Sequence, residues 1–117
     1  MATVSSHILN GVDGTHAGGI AVSLSRIGTQ GSTLIFATRT DDGGRLLEEV
    51  DLTGADIDAT YEAIFATGAY WANRSIPSSE SQIMQEIVLR FQMPDPGKKY
   101  HMPIILSPNS YSAWLSG

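Results

Sequence analysis

Short runs that alternate apolar with polar residues, each closed by a turn rich in glycine, aspartate or proline, recur along this 117-residue chain from end to end. A period of two puts successive side chains on opposite faces of an extended strand, so each run has one face to bury and one to show to solvent. A helical bundle is thereby excluded, and strands with one apolar face are satisfied by packing two sheets face to face. The first run, Thr3 to Asn10, alternates Val4, Ser6, Ile8 with Ser5, His7, Leu9 and stops at Gly11-Val12-Asp13-Gly14. IAVSLSRI (20–27) and STLIFATRT (32–40) follow, the latter running into Asp41-Asp42-Gly43-Gly44, with Arg45 directly after. A fourth strand spans Leu46 to Asp51, and Leu52 to Asp58 reads as a loop. ATYEAIFAT (59–67) is the fifth, after which GAYWANRS loses the alternation and reads as one or two helical turns or a loop. Ile76 to Gln82 reads as a mobile surface connection, and IMQEIVLRFQM (83–93) as the sixth strand. Pro94-Asp95-Pro96-Gly97 then leads into the last strand, from Tyr100, as a hairpin. The expectation is an all-β sandwich of seven to eight short strands with one short helix, a single domain over 1–117.

Composition narrows the partners. A net charge of −5, with no basic run longer than Lys98-Lys99, gives no footprint for nucleic acid. The absence of cysteine removes disulfides, thiolate metal sites and thiol nucleophiles together. MATVSSHILNG carries no basic segment followed by an apolar one, and nothing approaches the ~20 apolar residues of a membrane span. The chain reads as soluble and cytoplasmic, with a small molecule as its partner.

The last strand holds the most chemistry. In YHMPIILS, Tyr100, Met102, Ile104 and Leu106 share one face, while His101, Pro103, Ile105 and Ser107 share the other. A histidine beside apolar walls is what a small-molecule site uses, because imidazole exchanges a proton near neutrality. Taken alone, His7 and His101 read equally well as strand-face histidines, and Arg45 as a solvated charge after a turn. His16 falls in a glycine-rich turn and reads as surface, with no suitably spaced carboxylate, so no metal is expected. Arg90 falls on the polar face of its strand and reads as structural.

The segments SSHILN, TDDGGR, YEAIFATGAYW and IVLRFQMPDPGKKYHMPIILSPNSYS together resemble the transthyretin-like 5-hydroxyisourate hydrolases, over nearly the whole chain. The resemblance implies a sandwich with a short helix after the fifth strand, assembled as a homotetramer, a dimer of dimers whose active sites lie between the dimers. It implies hydrolytic opening of the six-membered ring of 5-hydroxyisourate, with no cofactor. The family's two histidines and arginine match His7, His101 and Arg45, which makes these the catalytic candidates. Water activation falls to the two imidazoles and carbonyl polarisation to the guanidinium.

The chain departs from the family at its C-terminus. Where the hydrolases end in Tyr-Arg-Gly-Ser, this sequence has Trp114, Leu115, Ser116 and Gly117, and Gly43 stands where an acidic residue is usual. Together with Pro103 and Ile105, the four tail residues are the substrate-binding candidates. Loss of a hydroxyl and a charged fork leaves urate-type N–H and C=O groups unpaired, at about 1–3 kcal/mol each. Methyl groups on the ring nitrogens reverse the sign, each contributing about 0.8 kcal/mol when buried. The expected substrate is therefore an N-methylated 5-hydroxyisourate, of the kind that C8 oxidation of caffeine or another methylxanthine would give. Ordinary 5-hydroxyisourate hydrolysis and non-catalytic binding of a small ligand remain as alternatives.

Overall fold

The computed structural model of the chain describes residues 1–74 and 81–117; most of the connection expected over Ile76 to Gln82 lies outside the described residues. Eight strands and one helix follow in the order β1 (Ala2–Asn10), β2 (Ala21–Gly28), β3 (Gly31–Arg39), β4 (Arg45–Val50), β5 (Thr60–Phe65), α1 (Thr67–Ala72), β6 (Ile87–Gln92), β7 (Lys99–Ser107) and β8 (Ser110–Ala113). They form two four-stranded sheets, β4-β1-β7-β8 and β3-β2-β5-β6.

The alternation does what the sequence demands of it. Along β1 every second residue, from Ala2 through Val4, Ser6 and Ile8 to Asn10, is buried, and the intervening residues are half-exposed. Inward residues of the first sheet, Val4, Ile8, Met102 and Ile104, meet Leu24, Tyr61 and Phe65 of the second in one core. Two of its polar members are paired: Ser6 Oγ donates to the Met102 carbonyl at 2.6 Å, and Asn10 Nδ2 to the Tyr70 hydroxyl at 3.0 Å.

Three boundaries differ from the sequence expectation. The turn at Pro94 to Gly97 does not close a hairpin, because β6 pairs with β5 while β7 pairs in parallel with β1 in the opposite sheet. A proline- and glycine-rich turn reverses the chain equally well within a sheet or between sheets, and the long-range pairing with β1 decides which. The true terminal hairpin joins β7 to β8 around Pro108-Asn109. The sixth strand begins at Ile87 and not at residue 83, and the fourth begins at Arg45, so the arginine lies within a strand.

Candidate active site

The outward face of the β4-β1-β7-β8 sheet carries the chemistry, and pairing registers place each side chain. His7 lies opposite Arg45 on one side and Pro103 on the other. Two residues earlier, Ser5 lies opposite Leu47 and His101. Cross-strand partners share a face and stand close together, so Arg45, His7 and Pro103 form one row and Leu47, Ser5 and His101 the adjacent one. The structure thus brings His7, Arg45 and His101 together.

The tail extends these rows. Ile104 pairs with Ala113 and His101 with Ser116, so the intervening register sets Pro103 opposite Trp114 and Met102 opposite Leu115. His101 and Ser116 exchange both backbone hydrogen bonds, at 2.9 and 3.0 Å. Trp114 donates to the Pro103 carbonyl at 3.4 Å, but Pro103 has no N–H to return, which is why the regular ladder of β8 ends at Ala113. By this parity Trp114 and Ser116 join the histidine face. Leu115 and Gly117 fall on the other face, where a Cβ on Gly117 would stand 3.0 Å from the buried Tyr100 ring. Ile105 remains on the histidine face, 41% exposed.

Backbone geometry of the turn before β4 fixes Arg45. Gly44 adopts φ +73°, and its carbonyl accepts the Ile8 N–H at 2.8 Å. Asp41 Oδ1 caps the turn by accepting the N–H groups of Gly43 and Arg45, both at 2.9 Å. Among the described residues no carboxylate forms an ion pair with Arg45, and its side chain is exposed on the sheet.

Two neighbours were not singled out from sequence. Ser5 Oγ lies 2.7 Å from His101 Nδ1, a hydrogen bond that fixes the ring's orientation and leaves Nε2 as its reactive end. His16, expected merely at the surface, is exposed, yet its Nδ1 is 3.0 Å from His7 Nε2 and the two rings are stacked at 5.1 Å. Its position follows from a backbone bridge between Leu9 and His16, so the turn after β1 folds back along the strand's own edge. The signal was present as a tight turn four residues long after Asn10, which returns the chain beside Leu9.

Desolvation and then the Arg45 guanidinium push the His7 pKa below imidazole's ordinary 6.5, with His16 and His101 acting in the same direction and the Gly43 carbonyl opposing them. His7 is thereby kept neutral and able to accept a proton at neutral pH. Beside it stands a guanidinium suited to a developing oxyanion. Among the described residues no group of three His, Asp or Glu side chains is placed to hold a metal ion.

The site is a sheet face and not an enclosed pocket. A cavity of about 670 Å³ lies elsewhere, beneath α1, lined by Gly18, Arg39, Ala66, Tyr70 and Arg74 among others, and it touches none of the histidines.

The chain is similar to known proteins along nearly its whole length. A 5-hydroxyisourate hydrolase from Pseudomonas aeruginosa is 32% identical over 115 residues, which cover 97% of this chain and 90% of that protein. Among solved structures, an (S)-allantoin synthase superposes with a TM-score of 0.79 at 28% identity over 99% of this chain, which spans only 44% of that longer protein. Sea bream transthyretin in complex with thyroxine superposes with a TM-score of 0.78 at 26% identity, covering 97% of this chain and 93% of that one. The HIUase/Transthyretin family matches residues 4–115, and the chain therefore belongs to that family.

Proposed function

We propose that the chain is a cytoplasmic hydrolase that opens the six-membered ring of an N-methylated 5-hydroxyisourate, acting as a homotetramer without a cofactor. One observation carries the reading: His7, Arg45 and His101 stand on one sheet face at adjacent register positions, with His7 held neutral. The fold alone does not decide between hydrolase and carrier, since the thyroxine-bound transthyretin superposes with a TM-score of 0.78 against 0.79 for the (S)-allantoin synthase. The site residues do. A carrier needs walls, whereas a neutral imidazole, a second imidazole and an unpaired guanidinium are the set that acyl–nitrogen hydrolysis requires.

In this reaction the His7–His101 pair takes a proton from water as the water oxygen bonds to the ring carbonyl carbon. Arg45 binds the resulting oxyanion. The pair returns the proton to the ring nitrogen as the carbon–nitrogen bond breaks, and Ser5 holds His101 for that transfer. General-base assistance of this kind is worth about 10²–10⁴-fold.

The preference for methylated rings rests on Trp114. It ends the row Arg45, His7, Pro103 and is 53% exposed, and such an apolar surface beside the polar groups suits a methyl substituent on a ring nitrogen. Leu115, on the opposite face, adds nothing to this wall within one chain, while Ser116 stands across from His101. The tetramer is supported by the openness of the face: Leu47, Ile105 and Trp114 are 65, 41 and 53% exposed around the polar groups, and a second copy laid over them would close a channel.

The test oxidises urate and 1,3,7-trimethylurate in place and follows decay of each short-lived hydroxyisourate with and without the protein. Faster decay of the trimethyl species is expected, with Trp114→Tyr shifting preference toward the unmethylated ring. Acceleration of the unmethylated species alone would assign the chain to ordinary 5-hydroxyisourate hydrolysis. Tight binding without acceleration of either would make it a carrier.

A further inference from the structure

The β1–β2 turn places a third imidazole on His7, and the reaction above leaves it unused. His16 Nδ1 lies 3.0 Å from His7 Nε2 and 2.9 Å from the Gly43 carbonyl oxygen, so three polar atoms meet at one point. The backbone around His16 is pinned: Asn10 N–H donates to the Thr15 carbonyl at 2.8 Å, and Ala17 N–H to the Ile8 carbonyl at 2.9 Å. A carbonyl oxygen only accepts, so at least one of the two facing nitrogens must carry a proton. With one proton there, either ring donates to Gly43 and the other presents its lone pair. With both rings charged, two N–H groups and two positive charges are forced together within 3.0 Å.

We propose that His16 is a positioning residue for His7, holding its ring against the Gly43 carbonyl and sharing with it the proton that the two facing nitrogens need there. The inference rests on the hydrolytic reading, in which His7 is a base. Chemistry supplies the need: opening a cyclic acyl–nitrogen bond yields a carboxylic acid that ionises near neutrality, so each turnover releases one proton. Taken up by the neutral His7 from the product's carboxyl group and passed on from His7 Nε2 to His16 Nδ1, that proton reaches an exposed ring in contact with solvent.

The groups facing His7 account for the direction of transfer. Arg45 approaches from β4 and His101 from β7, and both disfavour a charge on His7, whereas His16 faces solvent on its far side. The β3–β4 turn contributes the Gly43 carbonyl together with the carboxylates of Asp41, engaged by the backbone N–H groups of Gly43 and Arg45, and Asp42.

The experiment compares the full chain with His16→Asn, which keeps an amide donor for Gly43 but cannot titrate, and uses His16→Gln should the first variant not fold. NMR titration of the His7 ring is read beside the pH profile of kcat/KM for the hydroxyisourate formed in place from 1,3,7-trimethylurate. The His7 midpoint is expected to rise toward 6.5 in the variant, and the acid limb of kcat/KM to rise with it. A His7 midpoint that stays in place, whether or not kcat falls, would overturn the proposal and leave His16 a structural turn residue. Because the titration needs no turnover, a shifted midpoint in a chain that hydrolyses nothing would keep the coupling and refute only the hydrolytic reading.

Discussion

At the residue scale, Arg45 separates charge from shape. Its backbone is held by Asp41 on one side and β1 on the other, so substitution of the side chain leaves the strand in place. A guanidinium offers two parallel donors to an oxyanion, whereas an ammonium offers a point charge. Arg45→Ala should lower kcat about 10²–10³-fold, the cost of removing one such donor. Arg45→Lys should recover little of it, with Tm unchanged in both, as steady-state kinetics and thermal melts would read. Recovery by lysine to near the parent rate would reduce the role of Arg45 to general electrostatics. The candidate residues His7, Arg45 and His101 were legible through motif, but their mutual placement was not. His7 and His101 are separated by 94 positions, and the pairing of β1 with β7 that joins them leaves no local mark. Ser5 escaped for the same reason, since its partner His101 comes from another strand, whereas His16 is returned to His7 by the short turn after Asn10, a signal the sequence did carry.

At the element scale, the turn that delivers Arg45 depends on Gly44. Its φ of +73° is costly for any residue with a Cβ, and a Cβ there would run into the Ile8 carbonyl oxygen and stand 3.0 Å from the Ala17 nitrogen. Ile8 adjoins His7, and Ala17 adjoins His16, so the strain would be released into the site itself. Gly44→Ala should cost about 1–2 kcal/mol for the left-handed backbone alone, and more as β1 and the turn separate. A fall in Tm on the order of 10 °C is expected for a domain of this size, with a loss of kcat that Gly43→Ala, whose Cβ meets only the Asp41 carboxylate at 3.3 Å, would not match. Equal behaviour of the two variants in melts and rates would contradict this account. Most strands were readable because one face had to be buried, which fixes a period of two, whereas β8, with three of its four residues exposed, was not assigned from sequence. Which sheet each strand joins was not readable. The turn between β6 and β7 looks like a hairpin from its residues, yet it carries the chain from one sheet to the other.

At the scale of the whole molecule, a single chain leaves the candidate site open. Leu47, Ile105 and Trp114 surround two histidines and an arginine with apolar surface in open solvent, an arrangement that neither excludes water nor grips a ring. In the proposed tetramer, closure by other copies would supply both at once and would convert the apolar rim from a liability into an interface. A charge placed on that rim, away from the reacting groups, should therefore act on assembly first. Ile105→Glu lies on the histidine face opposite Leu9, outside the two rows that hold Arg45, His7 and His101. The parent should elute at about four times its 12.5 kDa, and the variant should elute smaller and lose activity that rises again with protein concentration. Such concentration dependence follows from mass action when only the assembled form is competent. An active monomer, or a variant tetramer with undiminished rate, would show instead that one sheet face suffices for the chemistry and that the apolar rim serves the substrate alone.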